Sequence, residues 1–224
     1  MGEVVAAARK WVGHHLDELY ARRNAPRFVD ALRAETPHAR VAIGVGRRPL
    51  PGWINTEVTR SVGVYLDITK PWPDPMHAAS HIYIEHVIEH FPLDVGRRVF
   101  ANCLTGLAPG GRIRLATPDL ERAARAYLDR SAVGEQHLAR YRSARVVEHP
   151  TDLVRMLYAY DNHWRGYVYD FDALREELTA AGFCNVVRVN PGESDDPVLR
   201  DLEARVDGSF FHMQLVVEAE APGH

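Results

Sequence analysis

The chain has 224 residues, 46% of them hydrophobic and 25% charged, enough to bury a sizeable core without disulfides or a structural metal. Its 27 basic and 30 acidic side chains leave a formal charge of −3, which argues against an electrostatically driven nucleic-acid binder. The two cysteines, Cys103 and Cys184, rule out a disulfide framework or a CxxC metal knuckle and point to a reducing, cytoplasmic setting.

At the start of the chain, Val4, Val5, Ala8, Trp11, Val12, Leu16, Leu19 and Tyr20 recur at three- and four-residue spacing. They predict one face of an amphipathic helix, and the charges among them leave no room for a signal-peptide apolar region. Pro26 is expected to end this helix, with a short helical turn over Phe28 to Arg33 completing an N-terminal segment, 1–38. The amphipathic face fits either its own core or an interface, including one with a second copy of the chain.

A single domain is expected over 39–224. Arg40 to Gly46 is β-branched and stopped by glycine, the profile of a buried strand. Trp53–Val58, Val62–Asp67, His81–Ile84 and Ile113–Thr117 follow as strand candidates. Between the last two, Val95, Val99, Cys103, Leu104 and Leu107 mark a helix that stops at a Pro109-Gly110 turn. The stretch 119–170 reads as a helical insertion, too long for a bare connection. A helix from Phe171 to Ala181 should end at Gly182, and Phe183–Val189 and Phe210–Glu218 should close the sheet. Strands alternating with helices predict an α/β fold, a Rossmann-like and mostly parallel seven-stranded sheet with helices on both faces. No apolar run reaches the roughly 18 residues of a membrane span.

The chemistry should gather where the strands end. Gly44 and Gly46 let a ligand approach the backbone of the first strand end, although a plain tight turn needs the same residues. Glu57, eleven residues on, ends the second strand, where its carboxylate can accept both hydroxyl protons of a ribose. A dinucleotide site would want a third glycine and an acid about twenty residues on, so another nucleoside cofactor fits better.

Taken in order, Val41-Ala42-Ile43-Gly44-Val45-Gly46, Glu85-His86-Val87-Ile88-Glu89-His90 and Leu107-Ala108-Pro109-Gly110-Gly111-Arg112-Ile113 resemble the motifs of class I S-adenosylmethionine-dependent methyltransferases of the small-molecule, type 11-like kind. The resemblance covers residues 40–120 best. It implies that Gly44 and Gly46 flank the methionine part of S-adenosylmethionine and that Glu57 meets the ribose. Asp67, with Ile68 beside it, would lie near the adenine, Asp67 also competing with Glu57 for the ribose. Glu85 and His86 would stand near the sulfonium and the acceptor. Val45 between the glycines and the short first crossover depart from the family pattern.

Methyl transfer to an alcohol needs a base, and histidine suits that task near neutral pH. Four residues are candidates for it or for orienting it: His86, Asp119, His149 and His163. Each has a plainer role open to it, Asp119 as a helix N-cap and the histidines as packing or solvated groups. His38, His77 and His137 read as surface residues, as do His14, His15 and His224. Tyr158, Tyr160, Tyr167 and Tyr169 in the insertion suit a ring-shaped polar acceptor such as a sugar or glycosylated metabolite, or simply a packed helical cover. His86 and His90 are four apart, a spacing that would put both on one helical face, and with Glu85, Glu89 and Asp119 they offer ligands for a divalent ion, Mg²⁺ among the options. Two other readings stay open at this point, an RNA or nucleobase methyltransferase and a non-catalytic cofactor-binding partner subunit.

Overall fold

In the computed structural model, described over residues 19–21, 23–59, 63–142, 147–159, 163–205 and 212–223, seven strands form one sheet. The strands are β1 (Ala39–Ile43), β2 (Ile54–Glu57), β3 (Val64–Tyr65), β4 (Ala79–Glu85), β5 (Leu107–Pro118), β6 (Cys184–Val189) and β7 (Gln214–Glu220). Their order is β3-β2-β1-β4-β5-β7-β6. β1 to β5 pair in parallel, and β7 runs antiparallel to both of its neighbours. The mostly parallel Rossmann-like sheet expected from the alternation of elements is the one observed.

Alternate residues divide between the two sheet faces, as the two-residue period of a strand demands. Val41, Ile43, Ile82, Ile84, Ile113, Leu115, Leu215 and Val217 turn to one face and join the main core. Helices α2 (Leu93–Gly106) and α6 (Phe171–Ala181) pack against each other and against that side of the sheet. Helix α1, described over 23–35, adds Phe28 and Leu32 to the same core, Phe28 edge-on to Trp72 with ring centroids 5.5 Å apart. The described part of the N-terminal segment therefore packs on its own domain; the apolar residues expected at 4–16 lie outside the described residues.

Ala42 and Tyr83 turn to the other face, under Leu50, Leu199 and Leu202. A 3₁₀ turn, Leu202–Arg205, and the preceding loop supply the cover there. Beneath it lies a charge cluster. Arg114, in mid-strand, is fully buried; its guanidinium donates to both Glu203 oxygens at 2.8 and 2.6 Å, to the Glu193 carbonyl at 2.9 Å and to Glu218.

Three expectations about the elements change. Pro26 does not end a helix: helical backbone runs on through 35. Pro26 lies in the first turn of the described stretch 23–35, where a missing N–H is tolerated. β5 starts at Leu107, because the Pro109-Gly110 turn is taken into the ladder, Leu107 pairing with Ala79 and Gly110 N–H donating to the Ala221 carbonyl at 3.2 Å. β7 begins at Gln214, later than the strand expected from Phe210, and residues 210 and 211 of that expectation lie outside the described residues.

After β5 comes the helical insertion, as α3 (Leu120–Leu128), α4 (Ala132–Arg142), α5 (Asp152–Ala159) and a 3₁₀ turn, His163–Arg165. Ala123, Ala126, Leu138, Val147, Leu153, Met156 and Met213 make a second apolar cluster there, separate from the main core. Asp119 caps α3, accepting from Arg122 N–H at 3.0 Å, and Gly182 caps α6 in the left-handed region. Among the described residues no helix is long and apolar enough to cross a membrane.

Candidate active site

The carboxyl ends of β1, β4 and β5 come together with the amino end of antiparallel β7: Ile43 pairs with Ile84, Glu85 with Ala116 and Pro118 with Gln214. Backbone groups leaving a parallel sheet point outward there, which is where open α/β sheets bind ligands. A cavity of about 430 Å³ occupies the place, within the usual range for small-molecule sites. Its floor includes Gly44, Val45, Glu85 and His86, and α4 and α5 stand over it with Arg140, Tyr141, Leu153 and Met156.

Gly44 is required at its position. Its φ is +70°, and a Cβ there would fall 2.3 Å from Val87 Cγ2, closing the approach of the β1 and β4 ends. Both Gly44 N–H and Val45 N–H donate to the Thr56 carbonyl, at 2.9 and 3.2 Å. Glu57 ties the turn from the other side, one carboxylate oxygen accepting from Gly46 N–H at 3.0 Å and the other from Val58 N–H at 2.8 Å.

His86 follows β4 directly and takes a left-handed conformation, φ +54°, a strained state for a residue with a side chain. Its N–H donates to the Ala116 carbonyl at 2.9 Å, which holds the strain in place. The imidazole Nδ1 lies 2.8 Å from Glu89 Oε1. A carboxylate only accepts, so Nδ1 carries the proton. Glu89 is wholly buried and takes a further hydrogen bond from Thr117 Oγ1 at 3.1 Å. Burial pushes its carboxyl up, but the His86 hydrogen bond and charge outweigh this and leave it below the usual range. The buried carboxylate thus orients the ring of a histidine that lines the cavity.

Not every residue singled out from the sequence reaches this cavity. Gly44, Glu85, His86 and His163 line it. His149 does not: its ring is 78% exposed, and its backbone N–H is held at 2.9 Å by Asp152. That bond, with one from Glu148 N–H and one from Arg155, draws the Asp152 carboxyl down to about 2. Asp119 is buried as the α3 cap, Oδ1 accepting from Arg122 N–H and Oδ2 from the Arg188 guanidinium. Burial raises its carboxyl more than the Arg122 N–H and the Arg188 charge lower it. Asp67 accepts from its neighbour Thr69, N–H at 3.1 Å and Oγ1 at 2.6 Å, and Ile68 belongs to the main core.

The tyrosines also separate. Tyr158 and Tyr167 are exposed, Tyr169 is buried in the main core, and Tyr160 lies outside the described residues. His86 and His90 do not share an α-helical face either, since the chain turns at His86 and forms only the 3₁₀ turn Ile88–His90.

Three residues the sequence did not single out line the cavity. His137, read as a surface residue, is 8% exposed and T-stacked on Tyr141 at 5.2 Å; burial and the Arg140 charge lower its imidazole to about 4. Tyr141 is the aromatic that α4 presents in place of the expected tyrosines. Gln214 is 1% exposed, and neither its amide nitrogen nor its oxygen has a partner among the described residues.

No family model and no curated protein matches the sequence. Solved structures of similar shape include the methyltransferase domain of a citrinin polyketide synthase (14% identity, 84% of this chain and 47% of that one, TM-score 0.49). Another is the S-adenosylmethionine-dependent methyltransferase SibL (14% identity, 91% and 53%, TM-score 0.48). A third is an S-adenosylmethionine-dependent methyltransferase from Archaeoglobus fulgidus (12% identity, 91% and 94%, TM-score 0.47). The chain spans about half the length of the first two. With its strand order, its one antiparallel strand and its glycine turn and His86 motif at the strand ends, the chain has the fold of class I S-adenosylmethionine-dependent methyltransferases.

Proposed function

We propose that the chain is an S-adenosylmethionine-dependent methyltransferase that methylates a hydroxyl oxygen of a small, sugar-like acceptor. The observation that carries this reading is the His86–Glu89 pair at the floor of a cavity bounded by the β1 glycine turn. The residues present fit the cofactor at its methionine end. Gly44 and Val45 offer close backbone approach, and Glu85 offers a carboxylate to an ammonium group. Beyond Gly46 a side chain would meet nothing within 4 Å, so the turn is open on that side. Glu57 at the ribose, and Asp67 with Ile68 near the adenine, belong to the same proposal.

Bound S-adenosylmethionine supplies a methyl group already activated by a sulfonium. What remains for the protein is alignment, dryness and a proton acceptor. His86 would take up the acceptor hydroxyl's proton at Nε2, which a small turn of the ring would bring to the cavity. Glu89 holds the opposite ring nitrogen and stabilises the imidazolium that results. α4 and α5 keep water from the reacting oxygen. Alignment of this kind is worth up to about 7–11 kcal/mol, and a positioned base about 10²–10⁴-fold.

Calorimetry with S-adenosylmethionine should give one site per chain, and labelled methyl should pass to hydroxylated acceptors. His86→Asn should lower turnover by about 10²-fold or more with cofactor affinity nearly unchanged. Absence of cofactor binding, or full turnover in His86→Asn, overturns the reading.

A further inference from the structure

We propose that Glu89, His90 and His163 form a site for one divalent transition-metal ion of the zinc class, open towards the cavity. One ligand atom from each of the three lies within 4.8 Å of the others, and all three residues line the cavity. They come from two turns far apart in sequence, Ile88–His90 and His163–Arg165.

The seating of those turns is close. A Cβ on Gly166 would fall 1.7 Å from the Glu89 carbonyl oxygen, so only glycine lets the second turn reach the first. Gly166 N–H closes its own turn on the His163 carbonyl at 2.8 Å. The His90 and His163 rings meet edge to face, centroids 4.7 Å apart at 66°, which holds the two turns together at the cavity.

Each ligand is oriented by an outer hydrogen bond where the structure gives one. His163 Nδ1 lies 3.0 Å from the Leu157 carbonyl; a carbonyl only accepts, so Nδ1 carries the proton and a metal would be bound through Nε2. The Glu89 carboxylate is fixed by His86 and Thr117 at 2.8 and 3.1 Å and retains lone pairs beyond those two bonds. Outer partners of this kind, a carbonyl behind an imidazole and hydrogen bonds behind a carboxylate, are what set ligand geometry in metal sites. An ion about 2.0–2.2 Å from each ligand needs only a modest inward closure of the three side chains.

Two imidazoles and one carboxylate select zinc, iron, cobalt or nickel over Mg²⁺, which prefers an all-oxygen shell, so the Mg²⁺ option does not suit this set. Three protein ligands leave a coordination position for a ligand from the cavity, a Lewis acid beside the acceptor space. The site rests on these side chains alone and not on the methyl-transfer reading.

The test uses the whole chain, dialysed against a chelator and titrated calorimetrically with Zn²⁺ and, separately, Mg²⁺; Co²⁺ absorption reports the coordination number. One equivalent of Zn²⁺ should bind, with Mg²⁺ at least 100-fold weaker. His163→Gln should weaken Zn²⁺ by more than the roughly 10–100-fold typical of outer-partner changes. The half-exposed His90 gives a second variant, His90→Gln, expected to keep the circular dichroism and melting of the parent and to lose Zn²⁺ affinity likewise. No stoichiometric Zn²⁺, or full affinity in both variants, overturns the site. Cofactor calorimetry on the same metal-free protein reports on methyl transfer independently.

Discussion

An amide buried without a bond is costly, and Gln214 carries two atoms that have no partner among the described residues at the cavity wall. The penalty is about 1–3 kcal/mol, and a polar ligand is what would relieve it. Gln214→Met keeps the shape and removes the burden. It should raise stability in urea by about 1–2 kcal/mol and lower kcat/KM for a hydroxylated acceptor about tenfold or more, with cofactor affinity unchanged. Equal kcat/KM would remove Gln214 from acceptor recognition. At this scale the sequence was legible where chemistry and backbone coincide. Gly44 and His86 stand in motifs tied to a strand end, and the structure brings both to the cavity. Gln214 carries no such mark, because a polar residue near the start of a strand looks like any other. His149 and His163 read alike in sequence, yet one ring faces solvent and the other the cavity, a difference set by how distant turns pack.

Among elements, β5 teaches the most. Arg114 stands in mid-strand between Ile113 and Leu115 and is as buried as its neighbours. The loop before the Leu202–Arg205 turn covers the second sheet face and brings Glu203 to meet it. Glu203 also accepts from Gly192 N–H at 2.9 Å, so the ion cluster anchors that loop. Arg114→Met strands two buried carboxylates and should cost about 3–5 kcal/mol in denaturant unfolding. Adding Glu203→Leu and Glu218→Leu should recover most of the loss; a triple variant no better than the single would mean that the loop needs the charges for its fold. Strand and helix types were readable from periodicity and caps, as with α6 between Asp170 and Gly182. The partner of a mid-strand arginine was not, since it lies 89 positions away.

For the molecule as a whole, His137 sets a threshold in acid. Its imidazole is held neutral in the fold, lowered to about 4, against an ordinary 6.5 when unfolded. The unfolded chain therefore binds a proton that the folded chain refuses. The full stabilisation is present above pH 6.5 and is lost as pH falls towards 4, by about 3 kcal/mol in all. His137→Gln should flatten that part of the stability–pH curve measured by urea unfolding, and an unchanged slope would place the proton uptake elsewhere. The overall architecture followed from the alternation of elements along the chain. The face α4 turns inward did not, because its apolar residues are too sparse to mark a side, which is how His137 came to read as solvated.

The second apolar cluster gives α3, α4 and α5 a store of cohesion that the sheet does not share. Swinging that layer outward wets its own seam while leaving the aliphatic heart of the sheet dry. Admitting a guest beneath that layer would then be a local event, needing a small fraction of the energy that global unfolding demands.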